Sequence, residues 1–221
     1  MKDLQAIRGA TLLRRMVAEG EHERQDFKFA ISDARKIARS LSAFANNSGG
    51  RLLIGVKDNG SIAGVRNDED IYVVEQAAER YCRPSQEITF KAYRLEGSTH
   101  VIVAEIAAAT SRPVCVDDGA GRLKAYYRVA DENIAAPDIM VRAWRIAADS
   151  SAPPLDSRHY SLAAIFDSPD VRLDEQQAAL RLHIGLTEAS EMIARLVAAG
   201  LLRFVYDGAS RFLVSAADIR S

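Results

Sequence analysis

The apolar run Leu52–Val56, which directly follows the glycine pair Gly49–Gly50, constrains this chain more than any other feature. A run without alternating polar residues is typical of a central strand that is covered on both faces. The residues before the glycines carry Ile37, Leu41 and Phe44 at helical spacing, and glycine commonly ends a helix. The sequence therefore predicts a helix, a tight turn and a buried strand in succession.

A short strand is predicted before that helix. Phe27 and Phe29 alternate with Asp26 and Lys28, and successive side chains of a strand point to opposite faces. One face of this strand would pack two aromatic rings, and the other would present the two charges.

The rest of the first 148 residues alternates strand and helix patterns. We expect a hairpin around Asp58-Asn-Gly60, a helix at 69–81, a second hairpin at 88–106, further strands after Pro113, and a helix after Pro137. The predicted fold class is α+β, a mixed sheet with packed helices, followed by a small winged helix-turn-helix domain.

A proline-containing segment, 149–156, marks the predicted domain boundary, because adjacent prolines make a stiff linker. Residues 1–148 then form the first domain and residues 157–221 the second. The second domain shows helical runs, a turn at Gly185, another helix and a two-stranded pattern. This order is typical of a winged helix-turn-helix.

Charge is unevenly distributed along a chain whose formal net charge is only −1. Residues 1–66 hold twelve Lys and Arg against seven Asp and Glu, whereas residues 149–221 hold seven against ten. Any contact with a polyanion is therefore expected in the first third of the chain.

Several function classes are not expected. The two cysteines lie far apart and the four histidines lack metal-ligand spacing, so a zinc site is not predicted. No apolar run reaches the length of a membrane span and no signal-peptide pattern opens the chain. We expect a cytoplasmic protein with free thiols, no cofactor and no membrane contact.

Five ordered motifs carry a resemblance to a known family. They are Asp26-Phe-Lys, Ala43-Phe-Ala-Asn, Gly49-Gly, Ile54-Gly-Val-Lys-Asp-Asn-Gly and Ile62-Ala-Gly. Over residues 10–136 the chain resembles the Schlafen AlbA-like domain family. The resemblance implies a mixed α/β domain that binds nucleic acid, DNA or RNA. Prokaryotic members often precede a winged helix and are described as transcriptional regulators, which is the leading interpretation here.

Some members of that family are described as ATP-binding. This chain has no Gly-x-x-x-x-Gly-Lys-Ser/Thr loop, so the residues that hold phosphate and Mg²⁺ in such loops are missing. Nucleotide hydrolysis is not expected.

The predicted nucleic-acid contacts are long cations near the glycine turn, together with the backbone amides of that turn, which could form an anion-binding nest. The set is Arg24, Lys28, Arg35, Lys36, Gly49, Gly50, Arg51, Lys57 and Arg128. The alternative is that these charges are scattered over the surface and only keep the domain soluble.

Catalysis is the second interpretation. The RNA-cleaving relatives of the family carry three metal-binding acids, which by motif correspond to Glu21, Asp26 and Asp58. Such carboxylates could hold Mg²⁺ or Mn²⁺ for a ribonuclease reaction, with Lys28 on the same phosphate. The alternative makes Asp26 an ion-pair partner of Lys28 or a nearby arginine, and Asp58 a turn former.

The predicted recognition helix begins with Thr187-Glu-Ala-Ser-Glu. Helices that read DNA favour Arg, Lys, Asn or Gln at their start, and acids there repel phosphate. The second domain is therefore interpreted as an element for dimerisation or for contact with another protein, and a homodimer could form through it. A scaffold that touches no nucleic acid is the third interpretation of the whole chain.

Overall fold

The structure is a computed structural model that describes residues 7–65, 69–95, 99–168, 170–208 and 210–217. The chain divides into two compact units, Met1–Ala136 and Pro137–Ser221. The first unit contains, in chain order, β1 (Ile7–Arg8), α1 (Ala10–Ala18), β2 (Gln25–Lys28), α2 (Ala34–Asn46), β3 (Gly50–Ile54), α3 (Glu69–Gln76), β4 (Cys82–Arg83), β5 (Ile88–Arg94), β6 (His100–Ile106), β7 (Cys115–Asp117), β8 (Leu123–Val129) and β9 (Glu132–Ala135).

The larger sheet of the first unit is mixed, as the sequence predicts. Its strand order is β1-β5-β6-β3-β2. The two outer pairs, β1 with β5 and β2 with β3, are parallel, and the inner pairs are antiparallel. Leu52, Leu53 and Ile54 of β3 have no solvent exposure. The α+β class and the buried strand are therefore confirmed.

Each face of this sheet carries a separate apolar layer. On one face, Leu13 and Met16 of α1 pack with Phe27 of β2. On the other face, Leu41 of α2 belongs to the largest cluster, together with Leu52 of β3 and residues of α3. Successive side chains of a strand point to opposite faces, so a continuous apolar run such as that of β3 is buried on both sides of the sheet.

A second sheet, with strand order β4-β7-β8-β9, packs against α2. The end of α2 is fastened to this sheet by Asn46, whose side-chain amide donates to the carbonyl oxygens of Val114 (2.9 Å) and Tyr126 (2.8 Å). Its side-chain oxygen accepts from the Val114 N–H at 2.8 Å. One buried asparagine thereby satisfies backbone groups that would otherwise lack partners.

Several predicted elements differ from the observed ones. The hairpin expected after Asp58 is reduced to one bridge, between Val56 and Ile62. The helix at 69–81 continues from α3 into a π-helical turn, Ala77–Tyr81. The first helix begins at Ala10, after a short strand. Apolar residues at helical spacing also predict a helix at 3–18, of which residues 3–6 lie outside the described residues.

The second unit contains α4 (Asp138–Ala148), α5 (Ser157–Ala164), α6 (Glu175–Leu182), α7 (Leu186–Ala198) and the antiparallel pair β10 (Leu202–Tyr206) and β11 (Arg211–Ser215). An isolated bridge joins Leu173 to Leu213. The core of the second unit includes Ile139 and Ala143 of α4, which pack with Ile193 of α7. The sequence predicts the boundary at Asp149; the structure assigns α4 to the second unit because its apolar face is buried there.

Both cysteines are buried and free of disulfides. Burial raises the pKa of the Cys82 thiol to about 12. No described helix is long and apolar enough to cross a membrane.

Candidate functional site

Asp26 and Lys28 lie on the same face of β2 and form an ion pair. Lys28 Nζ is 2.8 Å from Asp26 Oδ2, and Asp26 is only 4% exposed. Ser40 of α2 donates a longer hydrogen bond, 3.4 Å, to the same carboxylate. The predicted charged face therefore exists, but it points toward α2. Of the two predicted aromatic residues only Phe27 is buried, whereas Phe29 follows the end of the strand and is exposed.

Arg128 of β8 is a buried structural residue, and its prediction as a phosphate contact is wrong. Its side chain has no solvent exposure. The guanidinium donates to the carbonyl oxygens of His22 (3.0 Å) and Gln25 (3.2 Å) and to Asn133 Oδ1 (3.0 Å), and it lies 3.5 Å from Asp26 Oδ1. A buried charge needs such partners, so Arg128 holds β8 and β9 against β2.

Glu21 completes this charged cluster, and its pKa moves opposite to that of Asp26. Burial raises the pKa of Glu21, and its hydrogen bond to Asp26 raises it further. Burial alone would also raise the pKa of Asp26, but the hydrogen bond from Glu21 and the charges of Lys28 and Arg128 outweigh burial and lower it. The two carboxyl groups share one hydrogen bond, and their surroundings favour a proton on Glu21 over one on Asp26.

The same side chains close the outer edge of β2. The Phe27 N–H donates to Glu21 Oε1 at 2.8 Å, and the Phe27 carbonyl accepts from Lys28 Nζ at 2.7 Å. The N–H and C=O of Gln25 both bond to the backbone of His22. The backbone groups of Gln25 and Phe27 on this edge are thus satisfied from within the chain.

The three predicted metal ligands do not form one site. Within the described part of the chain, no group of three or more His, Cys, Asp or Glu side chains is close enough to hold a metal ion. Glu21 and Asp26 are together, but Asp58 lies in the exposed turn after Val56. The three-carboxylate site proposed for a ribonuclease is therefore a wrong prediction for Glu21, Asp26 and Asp58 as a set.

The glycine pair is required by close packing rather than by an anion. Gly49 is buried with φ of 75°, and its N–H donates to the Phe44 carbonyl at 2.9 Å. A Cβ on Gly49 would lie 2.8 Å from the Ile106 oxygen, and a Cβ on Gly50 would lie 2.3 Å from the Phe44 ring. The Gly49 amide is therefore committed to the end of α2, which removes it from the predicted anion nest.

Three of the predicted nucleic-acid-binding residues line an open cleft of about 640 Å³, whose walls carry charges of both signs. Arg51 Nε donates to Gln25 Oε1 at 2.6 Å, and Arg51 is also paired with Glu19. The lining includes Arg24, Gly50 and Arg51 together with Glu19, Glu87 and Glu105. The structure brings the three predicted residues together, but the three glutamates oppose a phosphate group there.

The exposed face of α2 carries Arg35, Lys36 and Arg39, which we call the α2 basic face. The Arg35 guanidinium lies over the Tyr81 ring, 5.3 Å from its centroid, and the Arg39 guanidinium lies over the Tyr126 ring at 5.8 Å. Among the described residues, no acid forms an ion pair with these three cations. Lys57 lies elsewhere, over the Phe29 ring at 5.3 Å in the turn after β3.

Residues 21–137 match the family described as Schlafen, AlbA_2, and this match covers more than half of the chain. The chain belongs to the Schlafen AlbA_2 family. The matched region starts at Glu21 of the charged cluster and ends at Pro137, the first residue of the second unit. No curated protein matches the chain in sequence.

Two solved structures are similar to this Schlafen AlbA_2 protein. The DIP2311 protein of Corynebacterium diphtheriae is 18% identical with a TM-score of 0.46; the match covers 94% of this chain and 44% of that protein. The N-terminal domain of a Nitrosomonas europaea protein, described as related to the ATP-dependent DNA helicase RecG, is 21% identical with a TM-score of 0.40. That match covers 60% of this chain and 92% of the domain. The chain thus spans less than half the length of the first protein.

The set of predicted phosphate contacts omits Arg39, although the sequence places it with Arg35 and Lys36 away from the apolar stripe of the helix. Arg39 follows Arg35 by four residues, and residues at this spacing lie on the same side of a helix. That spacing could have identified it. The partner rings could not be found in this way, because Tyr81 and Tyr126 come from distant segments that meet only in the fold.

Proposed function

We propose that the chain binds nucleic acid through the α2 basic face, with Arg35, Lys36 and Arg39 contacting phosphate groups, and that it acts as a transcriptional regulator. Membership in the Schlafen AlbA_2 family supports a role related to nucleic acid. The observation that carries the choice of surface is the absence of a carboxylate partner for these three cations among the described residues.

Several other cations of the first unit are neutralised. Lys28 is paired with Asp26 at 2.8 Å and Lys91 with Glu105 at 2.6 Å. Arg51 is paired with Glu19. A phosphate that replaced one of these carboxylates would gain little, whereas a phosphate at the α2 basic face meets charge that is not already compensated.

The tyrosine rings favour phosphate binding by holding the two arginines in place. A cation over an aromatic face contributes about 0.5–1 kcal/mol at an exposed site, and it leaves the N–H groups at the edge of the guanidinium available. Arg35 and Arg39 are about 6 Å apart along the helix axis, since each residue rises about 1.5 Å. Two oriented guanidinium groups on one helix face can each donate two hydrogen bonds to a phosphate.

A further cation extends this face. Lys124 lies directly opposite Val116 on β7, and it alternates with Tyr126 along β8 so that both side chains point to the same side of the sheet. Because Arg39 covers the Tyr126 ring, this is the side of α2. Lys124 is exposed, and we propose that it makes an additional, weaker phosphate contact.

The second unit is proposed as a winged helix that contacts protein, including a second copy of the chain. The two acids of α7 that were expected to repel DNA are paired: Glu188 with Arg158 at 2.5 Å and Glu191 with Arg142 at 3.2 Å. Repulsion is therefore weaker than the sequence indicates. Arg195 donates to the carbonyl oxygens of Pro153 and Pro154, so it is committed within the unit.

The test is the salt dependence of binding to labelled RNA and to duplex DNA. The variant Arg35→Ala/Arg39→Ala should bind at least tenfold more weakly at low salt. Its plot of log K against log salt should be shallower by about 2, because each lost phosphate contact removes about one counterion. Lys36→Ala should lower affinity uniformly across sequences.

The matched control is Arg142→Ala/Arg158→Ala, which also removes two arginines; their side chains are 40% and 60% exposed, and each is already paired with a glutamate. Unchanged binding in this control, with loss in the α2 variant, supports the proposal. Loss in the control alone would place the contact in the second unit and contradict it. Cleavage that needs Mg²⁺ or Mn²⁺ and disappears with chelator and in Asp26→Ala would contradict the non-catalytic role.

A further inference from the structure

The open cleft on the five-stranded sheet lies at a row of residues that are paired in register across adjacent strands. Arg51 of β3 pairs in register with Glu105 of β6, and Glu105 pairs with Thr89 of β5. The alternation along β5 places Thr89 on the same face as Tyr93, which belongs to the α1 layer. The cleft is therefore on the α1 side of the sheet, and the α2 basic face is on the other side.

Charge is segregated across this cleft. Along the strand order β2-β3-β6-β5, the cations Arg24 and Arg51 come from the β2 and β3 side, and the acids Glu105 and Glu87 come from the β6 and β5 side. Two of these charges are already compensated, because Arg51 is paired with Glu19 and Glu105 is paired with Lys91 of β5 at 2.6 Å. Among the described residues, the uncompensated charges are thus Arg24 on one wall and Glu87 on the opposite wall.

The two outermost charges of the cleft are available to a ligand. Arg24 and Glu87 are both exposed, and neither side chain forms an ion pair or side-chain hydrogen bond within the described residues. Arg24 directly precedes β2 and Glu87 directly precedes β5, three strand spacings apart, or about 14 Å between backbones. Both side chains are long and line the cleft, so the gap between their charged ends is shorter than this.

We propose that this cleft binds a small zwitterion of the amino-acid class, with its carboxylate toward Arg24 and its ammonium toward Glu87. A volume of about 640 Å³ is within the range of small-molecule sites. An anion alone would face the glutamates, and a cation alone would face the arginines. Only a ligand that carries both charges compensates both walls.

The first experiment measures which charge pattern binds. Isothermal titration calorimetry on the full chain would use glycine, 4-aminobutyrate and 6-aminohexanoate, whose charges are progressively farther apart. Acetate and methylamine, each with a single charge, are the controls. We expect saturable binding of at least one zwitterion, at least tenfold tighter than binding of either control. Equal binding of acetate and zwitterion, or no binding of any zwitterion, would overturn the proposal.

Charge exchange at the two free positions tests the geometry. Arg24→Glu and Glu87→Arg should each weaken binding of the preferred zwitterion at least tenfold. The double variant Arg24→Glu/Glu87→Arg restores one charge of each sign, so it should bind about tenfold more tightly than either single variant. A double variant as weak as the single ones, or single variants that bind normally, would contradict the site. Both side chains are exposed, and an unchanged thermal unfolding midpoint would confirm that the variants fold.

Discussion

The fold shifts the pKa values of the Glu21 and Asp26 carboxyl groups in opposite directions, a difference that sequence alone cannot show. The pKa of Glu21 is raised and that of Asp26 is lowered. Because the folded chain favours protonated Glu21, this contribution to stability is full below the ordinary pKa of 4.5 and is lost as pH rises through the raised value. The contribution of Asp26 is present above its ordinary pKa of 3.8 and is lost as pH falls through the lowered value.

The variant Glu21→Gln tests this arrangement, because glutamine keeps both the donor to Asp26 and the acceptor for the Phe27 N–H without a proton to lose. We expect its stability relative to wild type to rise as pH increases from about 4 to 7, since only wild type loses the Glu21 contribution. Glu21→Ala leaves the Phe27 N–H without its acceptor and should cost about 1–2 kcal/mol at neutral pH. Denaturant unfolding at several pH values measures both effects.

If Glu21→Gln is as destabilising as Glu21→Ala at neutral pH, the protonated form of Glu21 is not the one that the fold stabilises. Ribonuclease assays on the same variants are informative as well. A metal-binding role would be abolished in Glu21→Gln, whereas the structural role described above would be preserved.

At the scale of elements, the junction of α2 and β3 is a tightly constrained turn. Gly49 combines a positive φ of 75° with tight surroundings, because a Cβ at this position would lie within 3 Å of backbone atoms of Ile106 and Ala108. Gly121 has φ of 80° and open space around it. The two glycines share a backbone conformation and differ in packing. Each therefore serves as the control for the other.

Gly49→Ala should be about 1–3 kcal/mol more destabilising than Gly121→Ala, because both variants have the strain of a left-handed alanine but only the first must displace backbone. Urea unfolding of the two variants measures the difference. Equal losses of stability would mean that the loop after β6 yields readily, contrary to the close packing around Gly49.

The elements that sequence predicts well are those whose signals are local. Asp33 accepts hydrogen bonds from the Arg35 and Lys36 N–H groups at the start of α2, and the glycines end the helix where expected. The hairpin after Asp58 does not form in full, although its turn residues favour one. Its second strand gains only the bridge at Ile62, because β3 already has β2 and β6 as neighbours.

At the scale of the whole molecule, the division between Ala136 and Pro137 has a direct test. The fragment 137–221 keeps α4, whose Ile139 and Ala143 are 2% and 1% exposed, and it should unfold cooperatively. The fragment 149–221 lacks this helix and exposes the apolar side chains that α4 covers. We expect it to show no cooperative thermal transition by circular dichroism. Cooperative folding of the shorter fragment would support the boundary predicted at Asp149.

Family and fold class could be predicted from the sequence because they depend on ordered motifs and periodicity. The site could be predicted only in part, because local sequence shows Arg128, Lys28 and Arg35 alike as long cationic side chains. Their difference arises from contacts between distant segments. Arg128 meets Asp26 across about a hundred residues, and Arg35 meets Tyr81 from another helix. Burial and pairing decide which cation is free, and neither can be read from local sequence.

The closed outer edge of β2 has a consequence for self-association. An open sheet edge can recruit strands from other copies of a protein, which is a common start of aggregation. At β2, the side chains of Glu21 and Lys28 occupy the backbone groups of Phe27 that an incoming strand would use. The residues that most resemble catalytic groups in the sequence thus protect the domain against growth of its sheet on this side.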